Sequence, residues 1–213
     1  MSDDELLRVV EEAFAASPLG RVSWPDPNPE RMPDEETYSR VTDPGRFQVL
    51  LGRLDAWVTA LEQLGAASAE RNVSIEWAER AGGRSWRVDR LVPVGDGTMP
   101  LVVGRMSHED VLDTGVFLGC GEPVIEIERF PDCGCDACDS GSQDLLDHLD
   151  RYLLSIVTGQ FRLLNRGSQI VVTLADGGGG ARGLPERLNA EDVLADPTGW
   201  QEFTGQAWLP SSR

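Results

Sequence analysis

Cys133, Cys135 and Cys138 crowd into Cys133-Gly134-Cys135-Asp136-Ala137-Cys138-Asp139, and thiols this close commonly share a metal ion or a redox task. Three thiolates can surround one Zn²⁺ at about 2.3 Å each, with Gly134 letting the backbone wrap the ion. A fourth ligand must then come from elsewhere. Cys120 falls in the turn of an expected hairpin, 113–119 with 123–130, whereas Cys133 leaves the opposite end of it. Seven extended residues span about 23 Å at ~3.3 Å each, too far for one ion. The turn Ser107-His108-Glu109-Asp110 precedes that hairpin and belongs at the sheet end where Cys133 emerges, so His108 is the preferred fourth ligand. His148, early in the next helix, is the alternative, and its plainer reading is a histidine at the core boundary. Asp132, Asp136 and Asp139 offer carboxylate oxygens.

A redox reading rests on Cys135-Asp136-Ala137-Cys138 standing before a helix, whose dipole lowers a thiol pKa. The same three aspartates oppose a further negative charge there, yet favour a bound cation. The third reading is three packed thiols with no chemistry. Other reactions fare worse. All 19 basic residues are arginine, and a chain without lysine makes no Schiff base, pyridoxal-phosphate anchor or Walker phosphate loop. No G-x-S-x-G elbow is present, and Gly177-Gly178-Gly179-Gly180 lacks the context of a phosphate cradle. Glu126 and Glu128 alternate with Ile125 and Ile127, as on a solvated sheet face.

The elements that position the cysteines follow from hydrophobic periodicity. Leu6, Leu7, Val9, Val10, Ala13 and Phe14 predict a helix over 3–16. An acidic, proline-rich arm follows to Pro44, with Trp24 and Tyr38 to pin it. Phe47, Leu50, Leu51, Leu54, Trp57, Val58, Leu61 and Leu64 mark a strong helix over 46–64. Strands are expected around Val73–Trp77, through Trp86–Val92 after a Gly82-Gly83 turn, and at 99–105, 113–119 and 123–130. Ser140 with Gln143 resembles a capping box for a second helix over 142–158, whose stripe runs from Leu145 to Val157. A hairpin of 160–165 and 168–174 follows, then a flexible glycine joint and a tail with a short helix near 190–195, docked by Trp200, Phe203 and Trp208. The expectation is a single α+β domain over 1–213: an antiparallel β-meander packed against two long amphipathic helices, with an arm (1–44), a core (45–176) and a tail (177–213).

A formal net charge of −17 repels nucleic acid and anionic membranes, and leaves a basic protein as the partner an acidic surface suits. The acidic start Met1-Ser2-Asp3-Asp4-Glu5 is unlike a secretory signal, and a cytoplasmic location would keep the thiols reduced and free to bind metal.

The stretch Arg129-Phe130-Pro131-Asp132-Cys133-Gly134-Cys135-Asp136-Ala137-Cys138-Asp139-Ser140-Gly141-Ser142, with Leu145-Leu146, Val157-Thr158-Gly159 and the upstream Tyr38-Ser39-Arg40-Val41-Thr42-Asp43-Pro44, resembles an uncharacterised actinobacterial protein family over about 38–164. The resemblance implies an actinobacterial soluble protein and brings no activity, substrate or catalytic residue with it. The functional expectation is a non-enzymatic regulatory or protein-interaction module whose cysteine loop binds structural zinc. The competing expectation is a thiol redox or zinc-dependent enzyme using the same loop.

Overall fold

The computed structural model describes residues 1–30, 32–78 and 85–209. Helix α1 (Asp3–Ala16) opens with a capping box: the Ser2 hydroxyl accepts the Glu5 N–H, and the Glu5 carboxylate accepts the Ser2 N–H. Its buried stripe of Leu6, Val10 and Phe14 lies against α2 (Val49–Gln63). Helix α2 buries residues on nearly every side, and α3 (Ser142–Val157) buries Leu149, Tyr152, Leu153 and Ile156.

These helices cover one face of a five-stranded antiparallel sheet in the order β1 (Ala67–Glu70), β2 (Ser85–Pro93), β3 (Leu101–His108), β4 (Val111–Cys120) and β5 (Ile125–Phe130). Each strand pairs with its sequence neighbour, so the α+β meander expected from the short connections is present. Strand alternation sends Leu101, Val103, Val116 and Leu118 into one apolar cluster with Trp57, Leu61 and Leu153. Where the three helices meet, Arg53 is held by Asp150 at 2.6 Å and Glu11 at 2.6 Å, and Trp57 Nε1 donates to Asp150 at 2.7 Å.

The first strand begins earlier than the alternation of Val73, Ile75 and Trp77 suggests. Asn72 takes a left-handed backbone (φ 56), its N–H bound by buried Asp89, and after Val73, whose N–H still donates to the Val88 carbonyl at 2.9 Å, the chain leaves the edge of β2. Residues 76–78 lie on the sheet's other face instead, where Trp77 bridges to Val124 and packs edge-on against Phe117 at 4.7 Å. The Gly82-Gly83 turn lies outside the described residues.

A second sheet, ordered β8-β7-β6-β9, consists of β6 (Arg162–Arg166), β7 (Gln169–Thr173), β8 (Gly179–Arg182) and β9 (Gln201–Thr204). The glycine run is therefore part strand rather than a flexible joint. At Gly179 (φ 146) a Cβ would lie 2.0 Å from the Val172 carbonyl, so glycine is what lets β8 close on β7. Strand β8 also overturns the solvated reading of Glu126 and Glu128. Glu126 is buried between Arg129 at 2.8 Å and Arg182 at 3.7 Å, and Glu128 accepts the Tyr152 hydroxyl at 2.8 Å. The tail docks as its aromatics predict: α4 (Ala190–Ala195) covers the outer side of this sheet, and Trp208 is buried in the main core.

Candidate metal centre

The β4–β5 hairpin fixes where the cysteine loop begins. Val116 pairs with Phe130 and Cys120 with Ile125, so Cys120 and Cys133 leave opposite ends of the hairpin. Cys120 is fully buried among apolar side chains, and that burial pushes its thiol up to about 12, as for an inert packing residue. His148 packs edge-on against Phe130 at 5.1 Å and Tyr152 at 5.5 Å, an aromatic contact at the start of α3.

Beyond Pro131 the chain folds through a single 3₁₀ turn, Asp136–Cys138, and this brings the sulfurs of Cys133, Cys135 and Cys138 within 4.8 Å of one another. The Cys133 and Cys135 sulfurs are 3.2 Å apart, and all three residues are free thiols. Three sulfurs at ~2.3 Å from one tetrahedral ion stand about 3.8 Å apart, so a cation fits with small side-chain adjustments. Cys135 is buried, while Cys133 and Cys138 are exposed. Burial alone would raise the Cys135 pKa. Hydrogen bonds from the Cys133 and Cys138 thiols and from the Cys138 and Ala137 N–H groups outweigh it, and the net direction is down. Cys138 is pushed up to about 12, first because its thiol donates to Cys135 and then by burial. Cys135 is thus more readily ionised than Cys138, and with the Cys133 sulfur beside them the three form a donor set that would give up its thiol protons to solvent on taking a cation.

His108 ends β3 and lines a cavity of about 120 Å³ with Phe47, Thr114, Arg129, Asp132 and Gly134. None of the three cysteines lines that cavity, and among the described residues His108 is not one of the converging ligand groups.

Two acids of the loop, Asp136 and Asp139, are engaged by the arm and the turn that follows it. Asp136 accepts from Arg40 Nε at 2.9 Å and from the Thr42 N–H at 3.0 Å, and gives its own N–H to the Arg40 carbonyl at 2.8 Å. The Thr42 hydroxyl, then the Thr42 N–H and the Arg40 guanidinium, hold its carboxyl down to about 2. Asp139 accepts Trp24 Nε1 at 2.9 Å and pairs with Arg46 at 3.1 Å. The Arg46 guanidinium in turn lies over Trp24 at 5.6 Å and Phe47 at 4.9 Å. Repulsion of a thiolate by Asp136 and Asp139 is therefore largely neutralised, contrary to the expectation from sequence. The Ser140–Gln143 capping box does not form either. Ser140 donates to Asp144, and Gly141 (φ 89) is the N-cap, packed so tightly under the arm that a Cβ would lie 2.7 Å from the Asp26 nitrogen. Trp24 pins the arm as predicted; Tyr38 does not, being 49% exposed.

Arg40, Thr42 and Arg46 are the site residues that sequence reasoning missed. Their partners lie roughly ninety residues away, and the sequence marked Arg40 and Thr42 only as part of the 38–44 stretch that shares the resemblance with the cysteine loop.

Among the described residues no helix is long and apolar enough to cross a membrane. No curated protein and no solved structure matches the chain. A family model does match, over residues 10–211, well beyond the 38–164 stretch that carries the resemblance. The protein therefore belongs to the family of unknown function DUF6226.

Proposed function

We propose that this protein is a non-enzymatic regulatory or protein-interaction module in which Cys133, Cys135 and Cys138 bind a structural zinc ion. One observation carries the reading: three free sulfurs converge within 4.8 Å in a turn whose flanking carboxylates are already paired with Arg40, Arg46 and Trp24. Thiolate is the softest donor set a protein offers, and zinc is a common divalent ion that it selects. In this reading the metal fixes the connection from β5 to α3 and, through Asp136 and Asp139, the arm, with residues 1–213 behaving as one folding unit. The location is cytoplasmic, where the thiols stay reduced. The partner is a basic protein met by the acidic surface of a chain with net charge −17, not nucleic acid or membrane.

The preferred fourth zinc ligand is His108, with the Asp132 carboxylate or solvent as the alternatives. Cobalt substitution in His108→Ala tests this, since loss of a nitrogen ligand shifts the d–d spectrum and an unchanged spectrum leaves the position to an oxygen donor. What weighs against a thiol redox or zinc-dependent enzyme is that the cavity beside His108 is lined by none of the three cysteines.

The experiment is metal content by plasma mass spectrometry on untagged protein, with a free-thiol count. About one zinc per chain and protection of the three loop thiols is the expected result. A metal-free chain that takes up no zinc, its loop thiols fully reactive, rejects the reading.

A further inference from the structure

The turn that gathers the sulfurs is also the turn that holds the arm. Asp136 lies between Cys135 and Cys138, and its carboxylate and N–H are the fastening for Arg40 and Thr42. Asp139 follows Cys138 directly and fastens Trp24 and Arg46. Two residues later the backbone of Pro25 and Asp26 lies against Gly141, and Ser142 exchanges hydrogen bonds with the Trp24 backbone at 3.0 and 3.1 Å. The loop has no apolar core of its own to keep this shape, and Cys133 and Cys138 are exposed to small solutes. A change in how the sulfurs are joined must therefore move the carboxylates that hold the arm.

We infer that the Cys133–Cys138 loop is a site of oxidative modification by hydroperoxides, and that a disulfide formed there expels the metal and releases the arm over 17–44. The inference rests on the metal reading above. The chemistry closes. One thiolate attacks a peroxide oxygen and becomes a sulfenic acid, and the O–O bond breaks to release hydroxide. A second thiolate attacks that sulfur and displaces its hydroxide, forming the S–S bond. Two electrons pass from the two sulfurs to the peroxide, which leaves as two waters once solvent supplies two protons. Zinc departs as Zn²⁺, unchanged in oxidation state, because a single remaining thiolate does not retain it. A disulfide needs its sulfurs about 2.05 Å apart, and the three sulfurs start within 4.8 Å of one another. A Cys135–Cys138 bridge closes a ring that contains Asp136, the residue that fastens Arg40 and Thr42. By linkage, whatever favours the metal-bound loop favours the docked arm to the same degree.

The test uses the full chain loaded with zinc. Hydrogen peroxide is added, zinc release is followed with a chromogenic chelator, and trypsin cleavage after Arg21 and Arg40 reports on the arm, since a chain without lysine is cut only at arginine. The expected result is zinc release together with about tenfold faster cleavage in the arm, equivalent to ~1.4 kcal/mol in local opening, reversed by dithiothreitol and zinc. Peptide mapping should find the disulfide within 133–138. Zinc release with the arm still protected overturns the coupling, and zinc retained with the thiols unoxidised overturns the modification. A chain that binds no zinc fails on the metal reading instead, and an absent chelator signal from the denatured, zinc-treated and desalted protein shows it. Asp136→Asn keeps all three thiols. It should be cut quickly with zinc bound, and peroxide should add little; slow cutting in that variant counts against the fastening role and overturns the inference.

Discussion

Two arginine–carboxylate junctions hold distant parts of this chain together, and they differ in what surrounds them. Arg53 with Asp150 and Glu11 sits at the crossing of α1, α2 and α3, its side chain 8% exposed, among helices that each bury an apolar stripe. Arg40 with Asp136 joins an arm and a loop of irregular backbone, with the Arg40 side chain 53% exposed. The first junction is enclosed by structure that forms for other reasons. The second lies between segments of irregular backbone and shares their attachment with Trp24, Ser142 and Arg46. A buried charge pair is therefore expected to act on global stability, and the exposed one on local order and its response to conditions.

Asp150→Ala should have the largest effect, because it leaves the buried Arg53 guanidinium with only the exposed Glu11 and the Trp57 N–H without its acceptor. The expected cost is about 3–5 kcal/mol in urea unfolding; a loss below ~1 kcal/mol would remove the distinction between the junctions. Next comes zinc. Free metal at 100 times its Kd adds ~2.7 kcal/mol, about 5–10 °C in Tm for a chain of this length, by calorimetry. Chelator should abolish that gain in the native sequence and change nothing in Cys135→Ser. Raising sodium chloride to about 1 M, where the Debye length is ~3 Å, should speed tryptic cutting in the arm while leaving the urea midpoint of the core nearly unmoved. Thiol accessibility adds a further contrast: in metal-free folded protein the exposed Cys133 should react with a disulfide reagent, and the buried Cys120 only after unfolding.

The smallest effect is a pH dependence on the core side. Burial would raise Asp89, but Arg87 and the Asn72 N–H hold it below its ordinary 3.8. Such a group contributes stability above its unfolded pKa, and the contribution is lost as pH falls below 3.8 towards the lower folded value. Asp89→Asn should flatten the acid limb of a stability–pH curve; an unchanged limb would assign acid sensitivity to other carboxylates.

Helices α1, α2 and α3 were legible because each repeats an apolar face every three or four residues, and β3 to β5 because turns and alternation bound them. The three sulfurs were legible as a group because they are neighbours in sequence. What stayed hidden depends on contacts between remote residues. The departure at Asn72 needs Asp89, the burial of Glu126 needs Arg182, and the fastening of the loop needs Arg40, Thr42 and Trp24. Glycine misled in the same way: the run at 177–180 reads as slack in the sequence, yet Gly179 is placed where the approach of a neighbouring strand leaves no room for a side chain.

Strand β6 has one neighbour close in sequence and one remote. Leu163 pairs with Val172 on one side and with Phe203 on the other. The β6–β7 hairpin can therefore zip locally and early, but its second edge has to wait for a segment some forty residues later, a non-local pairing that costs more chain entropy before its contacts form. Through that interval β6 presents unpaired N–H and C=O groups to anything that offers a strand. The order of assembly, more than the finished structure, is where this protein is most exposed to misassembly in a crowded solution.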